Sequence, residues 1–162
     1  MQSFLTHFQW GPVMSKVPCA ILSTFAFVAI SAFEPAAART RYFSVSDGPP
    51  NETFTIALSN PTMIAKARQI IAGNISGQVK VSGRIAKWPV KYNAPWHFHL
   101  KPASITFITF ANTTCLRGAA TSEIEANIQK IGTPDYSPLG FWCPLGSRVA
   151  AEISANEALH GH

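Results

Sequence analysis

Two histidines, His97 and His99, have the side chains and the spacing best suited to metal binding or proton transfer in this sequence. They are two positions apart in an apolar segment, and alternate residues of a β-strand point to the same face. Such a pair could bind a metal ion, or one imidazole could act as a general base. A hydrolytic site would also need an activated serine and an orienting carboxylate, and no recognisable nucleophile motif is present. A metal-binding or hydrolytic enzyme centred on His97 and His99 therefore stays an alternative, while we expect no cofactor, no metal and no catalytic residue.

Basic and aromatic residues are interleaved in the middle of the chain. No acidic residue occurs between Glu52 and Glu123, whereas this interval is rich in lysine and arginine. A basic strand face beside an aromatic, proline-containing loop would suit a polyanion or an acidic, glycan-bearing protein surface. A solvated basic face above core aromatic residues is the alternative. The predicted binding residues are Lys80, Arg84, Lys87, Trp88, Lys91, Tyr92 and Trp96.

The amino-terminal region predicts export. Lys16 precedes an uncharged, largely apolar stretch over residues 17–33, and the small residues 36–38 (AAA) follow. A basic residue, a short apolar segment and an A-x-A end are the three parts of a secretory signal peptide. We therefore interpret residues 1–38 as a signal peptide, with Met14 as an alternative start, and predict a secreted protein. The apolar run is shorter than the roughly 20 residues of a spanning helix, so we expect no stable membrane anchor.

Export bears on the cysteines, on glycosylation and on the partners. Cys115 and Cys143 are the two cysteines of the mature part, and in an exported domain they predict one disulfide, with two separate buried thiols as the alternative. N-glycosylation acceptor sequences stand at Asn51, Asn74 and Asn112, and they matter only in a eukaryote.

The net charge of +5 would attract nucleic acid. Export argues against nucleic acid as a partner, so we expect none.

Length and composition indicate one globular domain. The 162 residues are 47% hydrophobic and 13% charged, which excludes wholesale disorder. Residues 39–153 contain no linker-like segment and form the predicted domain, and residues 154–162 form a predicted flexible tail. The apolar pattern predicts the order β-β-α-β-β-β-α-β, and therefore an α+β domain with a mainly antiparallel sheet and two helices.

Capping signals place the two predicted helices. Asn60 and Pro61 predict the start of the first helix and Gly73 its end, with Ile64, Ala67 and Ile71 on its apolar face. A capping box, Ser122-x-x-Glu125, predicts the start of the second helix, and Gly132 predicts its end. Between the helices, strand 105–110 is apolar on both faces and is expected to be central in the sheet.

Four stretches of the sequence resemble a family of small exported domains. They are 42–48 (YFSVSDG), 92–102 (YNAPWHFHLKP), Cys115 and 142–148 (WCPLGSR). Together they are similar to the amino-terminal domain family of the calmodulin-binding protein "BP seventy-four". The resemblance implies a one-domain secreted protein without an established reaction, and the family's label implies calmodulin binding.

Calmodulin is nevertheless a doubtful partner on physical grounds. Calmodulin binds the apolar face of a basic amphipathic helix. The predicted helix over residues 61–72 has only Lys66 and Arg68 as bases, and its apolar face is expected to be buried. Calmodulin is also cytosolic, whereas this chain carries a predicted export signal.

The sequence thus predicts a secreted, disulfide-bonded α+β binding domain without enzymatic activity, directed at an acidic or glycan-bearing extracellular partner. Besides the histidine-centred enzyme, one further alternative is an inhibitor of an extracellular enzyme. Such an inhibitor would present the 133–142 loop, held by the predicted disulfide.

Overall fold

The structure, a computed structural model, describes residues 39–47, 52–94, 96–109, 116–117, 119–144 and 146–161. The predicted signal peptide, two glycosylation acceptors (Asn51 and Asn112) and Cys115 lie outside these residues. Within the described part of the chain, no helix is both long and apolar enough to cross a membrane. The elements are β1 (Arg41–Ser46), β2 (Thr53–Leu58), α1 (Pro61–Ile71), β3 (Lys80–Ala86), β4 (His99–Leu100), β5 (Thr106–Ile108), β6 (Leu116–Arg117), α2 (Thr121–Ala126), β7 (Phe141–Cys143), β8 (Arg148–Ile153) and α3 (Ala155–His160).

Two sheets are formed by these strands. The first has the order β2-β1-β8 and is antiparallel throughout, with Phe43 opposite Ile56 and a register shift between Ser44 and Val45. The second has the order β4-β3-β7-β6, and β5 also pairs with β3. All its pairs are antiparallel except β6 with β7, which is parallel. The predicted α+β class with mainly antiparallel sheets is confirmed.

The central strand is β3 and not the predicted strand over 105–110. Within the described residues β3 pairs with β4, β5 and β7, whereas β5 pairs with β3 alone. Thr106 is exposed and Ile108 half-buried, so only Phe107 of β5 lies in the core. An apolar run on both faces predicted burial, but a strand can carry apolar residues at an edge that other segments cover only in part.

Aromatic packing around Trp142 joins the two sheets. The Trp142 ring lies 4.9 Å from Phe54 of the first sheet and 5.7 Å from Phe98, centroid to centroid. Its indole nitrogen donates a 2.9 Å hydrogen bond to the Ala119 carbonyl, which satisfies the one polar atom of this fully buried side chain. Trp142, which belongs to the second sheet, therefore packs directly against the core of the first sheet.

The first helix begins and ends as its sequence predicts. The Asn60 side chain accepts hydrogen bonds from the backbone of Thr62 and Met63, and Pro61 is the first helical residue. Gly73 follows the helix with a φ of 72°, a conformation that glycine adopts without strain. Two residues of the predicted apolar face, Ile64 and Ala67, are buried, but Ile71 at the end of the helix is 39% exposed.

The second helix is shorter than predicted and lacks the capping box. α2 ends at Ala126 and is followed by a 3-10 turn over Ile128–Lys130. The residue before the helix is Ala120, which has no capping side chain. Carboxylates from another part of the chain accept the first amide hydrogens: Asp47 binds Thr121 and Glu52 binds Ser122.

The carboxyl-terminal residues form a third helix where a flexible tail was predicted. Ser154 caps α3 by accepting a hydrogen bond from the Glu157 amide, and Ala158 is 1% exposed. The buried apolar residue and the capped amino-terminal amide both stabilise this helix. The described residues of the domain thus form three α-helices, where two were predicted.

Candidate functional site

The pairing of β3 with β4 sets two cations side by side on the outer face of the second sheet. Ile85 lies opposite Leu100, and the Lys101 amide donates a 2.8 Å hydrogen bond to the Arg84 carbonyl. Ile85 and Leu100 are buried, so their neighbours Arg84 and Lys101 point to solvent, and both are exposed. Side chains opposite each other in an antiparallel pair have Cβ atoms about 5 Å apart. Two adjacent cationic side chains therefore stand on this face.

Trp88 lies beside Lys101, and its position depends on His99. The Lys101 ammonium is 5.9 Å from the centre of the Trp88 ring. The indole meets the His99 ring edge-on at 5.3 Å, and the His99 Nδ1 donates a 3.0 Å hydrogen bond to the Trp88 carbonyl. His99 is buried beneath this contact, whereas Trp88 remains 55% exposed. The buried imidazole thus holds a large aromatic side chain at the surface.

Phe141 flanks the cations on the other side. It lies opposite Arg84 in the β3–β7 pair, and the Arg84 guanidinium carbon is 5.2 Å from the centre of its ring. Trp88, Lys101, Arg84 and Phe141 thus follow one another across the sheet, and we call these four residues the cation–aromatic row. Lys87 is exposed at its border, and its ammonium is 3.4 Å from the Gln129 carbonyl.

Among the described residues, no carboxylate neutralises the row. In this part of the chain, the basic side chains within 4 Å of a carboxylate are Arg68, 2.7 Å from Glu152, and His97, 2.5 Å from Glu125. Arg84, Lys87 and Lys101 take part in neither. Their charge is available to an external anion.

The structure brings together three of the predicted binding residues, Arg84, Lys87 and Trp88, and separates the others. Lys80 is half-buried at the far end of β3, where it faces Ile108. Lys91 is exposed on a 3-10 turn beyond the row.

Two predicted aromatic binding residues, Tyr92 and Trp96, are half-buried and packed against neighbouring side chains. Tyr92 packs 5.4 Å from Tyr42 and 6.1 Å from His99, and burial raises its pKa to about 12. Trp96 donates a 2.8 Å hydrogen bond from its indole nitrogen to the Thr53 carbonyl and packs against Phe98. Both side chains attach their loop to the core.

Two residues of the row, Lys101 and Phe141, were missed by the sequence analysis. Side chains alternate between the two faces of a strand, so the sequence around His99 places Lys101 on the same face as His99. Only the register of β4 with β3 places Lys101 opposite Arg84. Phe141 is 57 positions from Arg84 in the chain, and no local pattern relates the two.

The two histidines of the alternative site have separate partners. His97 lies before β4, its Nδ1 is 2.5 Å from Glu125, and its amide donates to the same carboxylate at 3.0 Å. His99 is buried against Trp88. In the described part of the chain, no three His, Cys, Asp or Glu side chains are grouped so that they could hold a metal ion.

A comparison with protein-family models identifies the same family that the sequence resembles. The family model of the "BP seventy-four" N-terminal domain matches residues 39–156, which is most of the chain and all of the strands described above. The chain therefore belongs to the "BP seventy-four" N-terminal domain family. No curated protein and no solved structure gives a significant match.

Proposed function

We propose that this protein is a secreted, non-catalytic binding domain that recognises an anionic extracellular partner through the cation–aromatic row and Lys87. One observation carries the proposal: Arg84 and Lys101 are exposed, adjacent and without a carboxylate partner among the described residues. The strand pair fixes the backbone that carries the two cations. No backbone segment therefore has to be ordered when an anion binds.

The surroundings of the two cations favour a specific site over a diffuse positive charge. Trp88 and Phe141 flank the cations and offer apolar area that a bound ligand can cover. The net charge of +5 adds long-range attraction for a negative surface, which salt screens over about 10 Å at 0.1 M.

Secretion, the disulfide and glycosylation belong to the same proposal. Cys143 is fully buried at the end of β7, and the parallel neighbour of β7 begins one residue after Cys115. A bond between Cys115 and Cys143 would tie these two strands. Asn74 is exposed in the turn after α1, so its side chain is accessible to a glycosylating enzyme.

Calmodulin is not part of the proposed function. Ile64 and Ala67 of α1 are buried against the core, so the apolar face that calmodulin would need is covered. Family membership by itself assigns no partner.

Heparin, a sulfated polysaccharide, is a direct probe of the row. We expect it to bind the purified protein, with an affinity that falls as salt rises. Arg84→Glu and Lys101→Glu, each alone, should weaken binding by about tenfold, because each replaces a charge-assisted contact by a repulsion. Titration calorimetry at two salt concentrations measures both effects.

The matched control is Arg148→Glu, which makes the same change of net charge at an exposed position of the other sheet. It should lower heparin affinity by less than about twofold. An equal loss in all three variants would mean that heparin senses only net charge, and the proposed site would be wrong.

A further inference from the structure

A shallow cleft of about 300 Å³ adjoins the cation–aromatic row. Arg84 and Lys87 line one side of it, and Ile131, Pro138 and Leu139 line the other. Ile131 is 2% exposed and forms an apolar floor, whereas Leu139 is 54% exposed. The cleft thus combines an aliphatic wall with two cations that have no carboxylate partner among the described residues.

The chain over residues 132–140, which we call the cleft loop, is held by its own hydrogen bonds. The Gly132 amide donates to the Tyr136 and Ser137 carbonyls, and the Gly140 amide donates back to Ser137 at 2.8 Å. The Gly140 carbonyl accepts a 2.8 Å hydrogen bond from the Ile85 amide, which fixes the loop to β3. Gly140 has a φ of 63°, where a side chain would be strained. Leu139 is therefore presented to solvent by a fixed backbone.

A fixed, exposed leucine contributes little to folding, because its apolar surface stays in water. The same side chain is well suited to a partner, because the backbone that carries it is already fixed and needs no ordering on binding. Trp88, another of the large apolar side chains that the described surface exposes, directly follows Lys87 of the cleft. Apolar anchors beside cations are typical of the centre and the border of a protein–protein interface.

We propose that the cleft docks an acidic segment of a partner protein in which a large apolar side chain stands next to aspartate or glutamate. The apolar side chain would cover Ile131 and Leu139, and the neighbouring carboxylate would pair with Arg84 or Lys87. A cleft of this volume is at the small end of ligand sites, which fits one side chain better than a whole small molecule. The inference rests on the proposed function, because Arg84 and Lys87 serve both.

Other occupants fit the cleft less well. A symmetric dimer through this cleft would bring the Arg84 and Lys87 side chains of two molecules together, and like charges repel at short range. A sulfated sugar would pair with the cations but leave Leu139 in water. An acidic segment with an apolar residue complements both the charge and the apolar wall of the cleft.

The test uses the full chain, purified and labelled with ¹⁵N, and an acetylated peptide of sequence Asp-Phe-Asp-Leu-Asp. We expect saturable chemical-shift changes at the amides of Gly132, Leu139 and Gly140. A peptide of equal charge, Asp-Ala-Asp-Ala-Asp, should bind at least about fivefold more weakly. Leu139→Ser should weaken binding of the first peptide by about fivefold, and its heparin affinity should stay unchanged. Ile71→Ser, at another exposed apolar side chain, is the matched control and should change neither.

Each other outcome separates the two proposals. Equal binding of both peptides would overturn the docking inference, because charge alone would explain it. Binding of heparin without binding of the apolar peptide would also overturn it and leave the row as a glycan site. Concentration-dependent dimerisation that Leu139→Ser abolishes would assign the cleft to a second copy instead. Unchanged heparin binding in Arg84→Glu and Lys101→Glu would overturn the proposed function, whereas unchanged peptide binding in the double variant Arg84→Glu, Lys87→Glu would overturn the docking inference.

Discussion

At the scale of single residues, His99 divides the aromatic loop into a surface part and a core part. Trp88 and Tyr92 both meet the His99 ring edge-on, at 5.3 and 6.1 Å. Trp88 lies on the solvent side and stays exposed, whereas Tyr92 lies on the inner side against Tyr42. Two aromatic residues four positions apart thus have different roles, one at the proposed binding surface and one in the packing beneath it.

Tyr92 gives the stability of the protein a dependence on alkaline pH. Burial, with a smaller contribution from Tyr42, raises the pKa of Tyr92 to about 12, whereas an unfolded tyrosine titrates near 10. The folded state therefore keeps the phenol proton to higher pH than the unfolded state does. The stabilisation is complete below about pH 10 and is lost as the pH rises through about 12. Urea unfolding of the native protein and of Tyr92→Phe at about pH 8 and about pH 11 measures this loss.

The phenylalanine variant is the control for other groups that titrate in the same range. It should lose less stability than the native protein between the two pH values. Equal losses in the two proteins would contradict the assignment to Tyr92.

At the scale of secondary-structure elements, α1 and α2 are capped by different means. α1 is capped locally by Asn60, which immediately precedes it. The amino-terminal amides of α2 are bound by Asp47 and Glu52, about 70 positions earlier in the chain. Glu125, which the sequence pattern assigned to the capping box, binds His97 instead. α1 is therefore specified by its own sequence, and the start of α2 depends on the strands.

Two substitutions distinguish these modes of capping. Asn60→Ala should lower the free energy of unfolding by about 1 kcal/mol, because two α1 amides lose their acceptor. Ser122→Ala should change it by less than about 0.5 kcal/mol, because α2 has no capping box. Urea unfolding followed by circular dichroism measures both. A decrease in the free energy of unfolding for Ser122→Ala as large as that for Asn60→Ala would support the capping box and contradict this account of α2.

At the scale of the whole molecule, four acidic side chains bind partners within the fold, whereas several cations are left on the surface without a carboxylate partner among the described residues. Asp47 and Glu52 bind α2, Glu125 binds His97, and Glu152 binds Arg68, whose guanidinium lowers the pKa of that carboxyl group. Arg84, Lys87 and Lys101 have no such partner within the described residues. The excess of 13 basic over 8 acidic residues therefore understates how positive the outer face of the second sheet is.

The proposed disulfide concerns the whole domain, because it would join two cysteines that are far apart in the sequence. A bond between Cys115 and Cys143 closes a loop of about 29 residues and should stabilise the protein by roughly 3–4 kcal/mol on the chain-entropy model. Peptide mapping by mass spectrometry without reductant should recover the linked peptides from the purified protein. The double variant Cys115→Ala, Cys143→Ala should unfold at lower urea concentration. Labelling of both thiols in the unreduced, denatured protein would contradict the bond.

Structural features that depend on residues only a few positions apart could be predicted from the sequence alone. The Asn60 cap, the Pro61 start and the Gly73 end of α1 are confirmed, as are the mixed fold class and the family. Hydrogen bonds that close within one helical turn can be predicted without knowing the rest of the chain. Of the candidate site, Arg84, Lys87 and Trp88 were predicted for the same reason, since their charge and aromaticity are properties of a single segment.

Which of these residues lie next to one another could not be predicted, because it depends on how distant strands pair. Lys101 and Phe141 stand beside Arg84 because β4 and β7 pair with β3 in one register, and a shift by one residue would turn their side chains to the other face. Burial of Tyr92 and Trp96 and exposure of Trp88 and Leu139 likewise follow from contacts between distant segments. Strand register and burial are set by the free energy of the whole core, which no single stretch of the sequence contains.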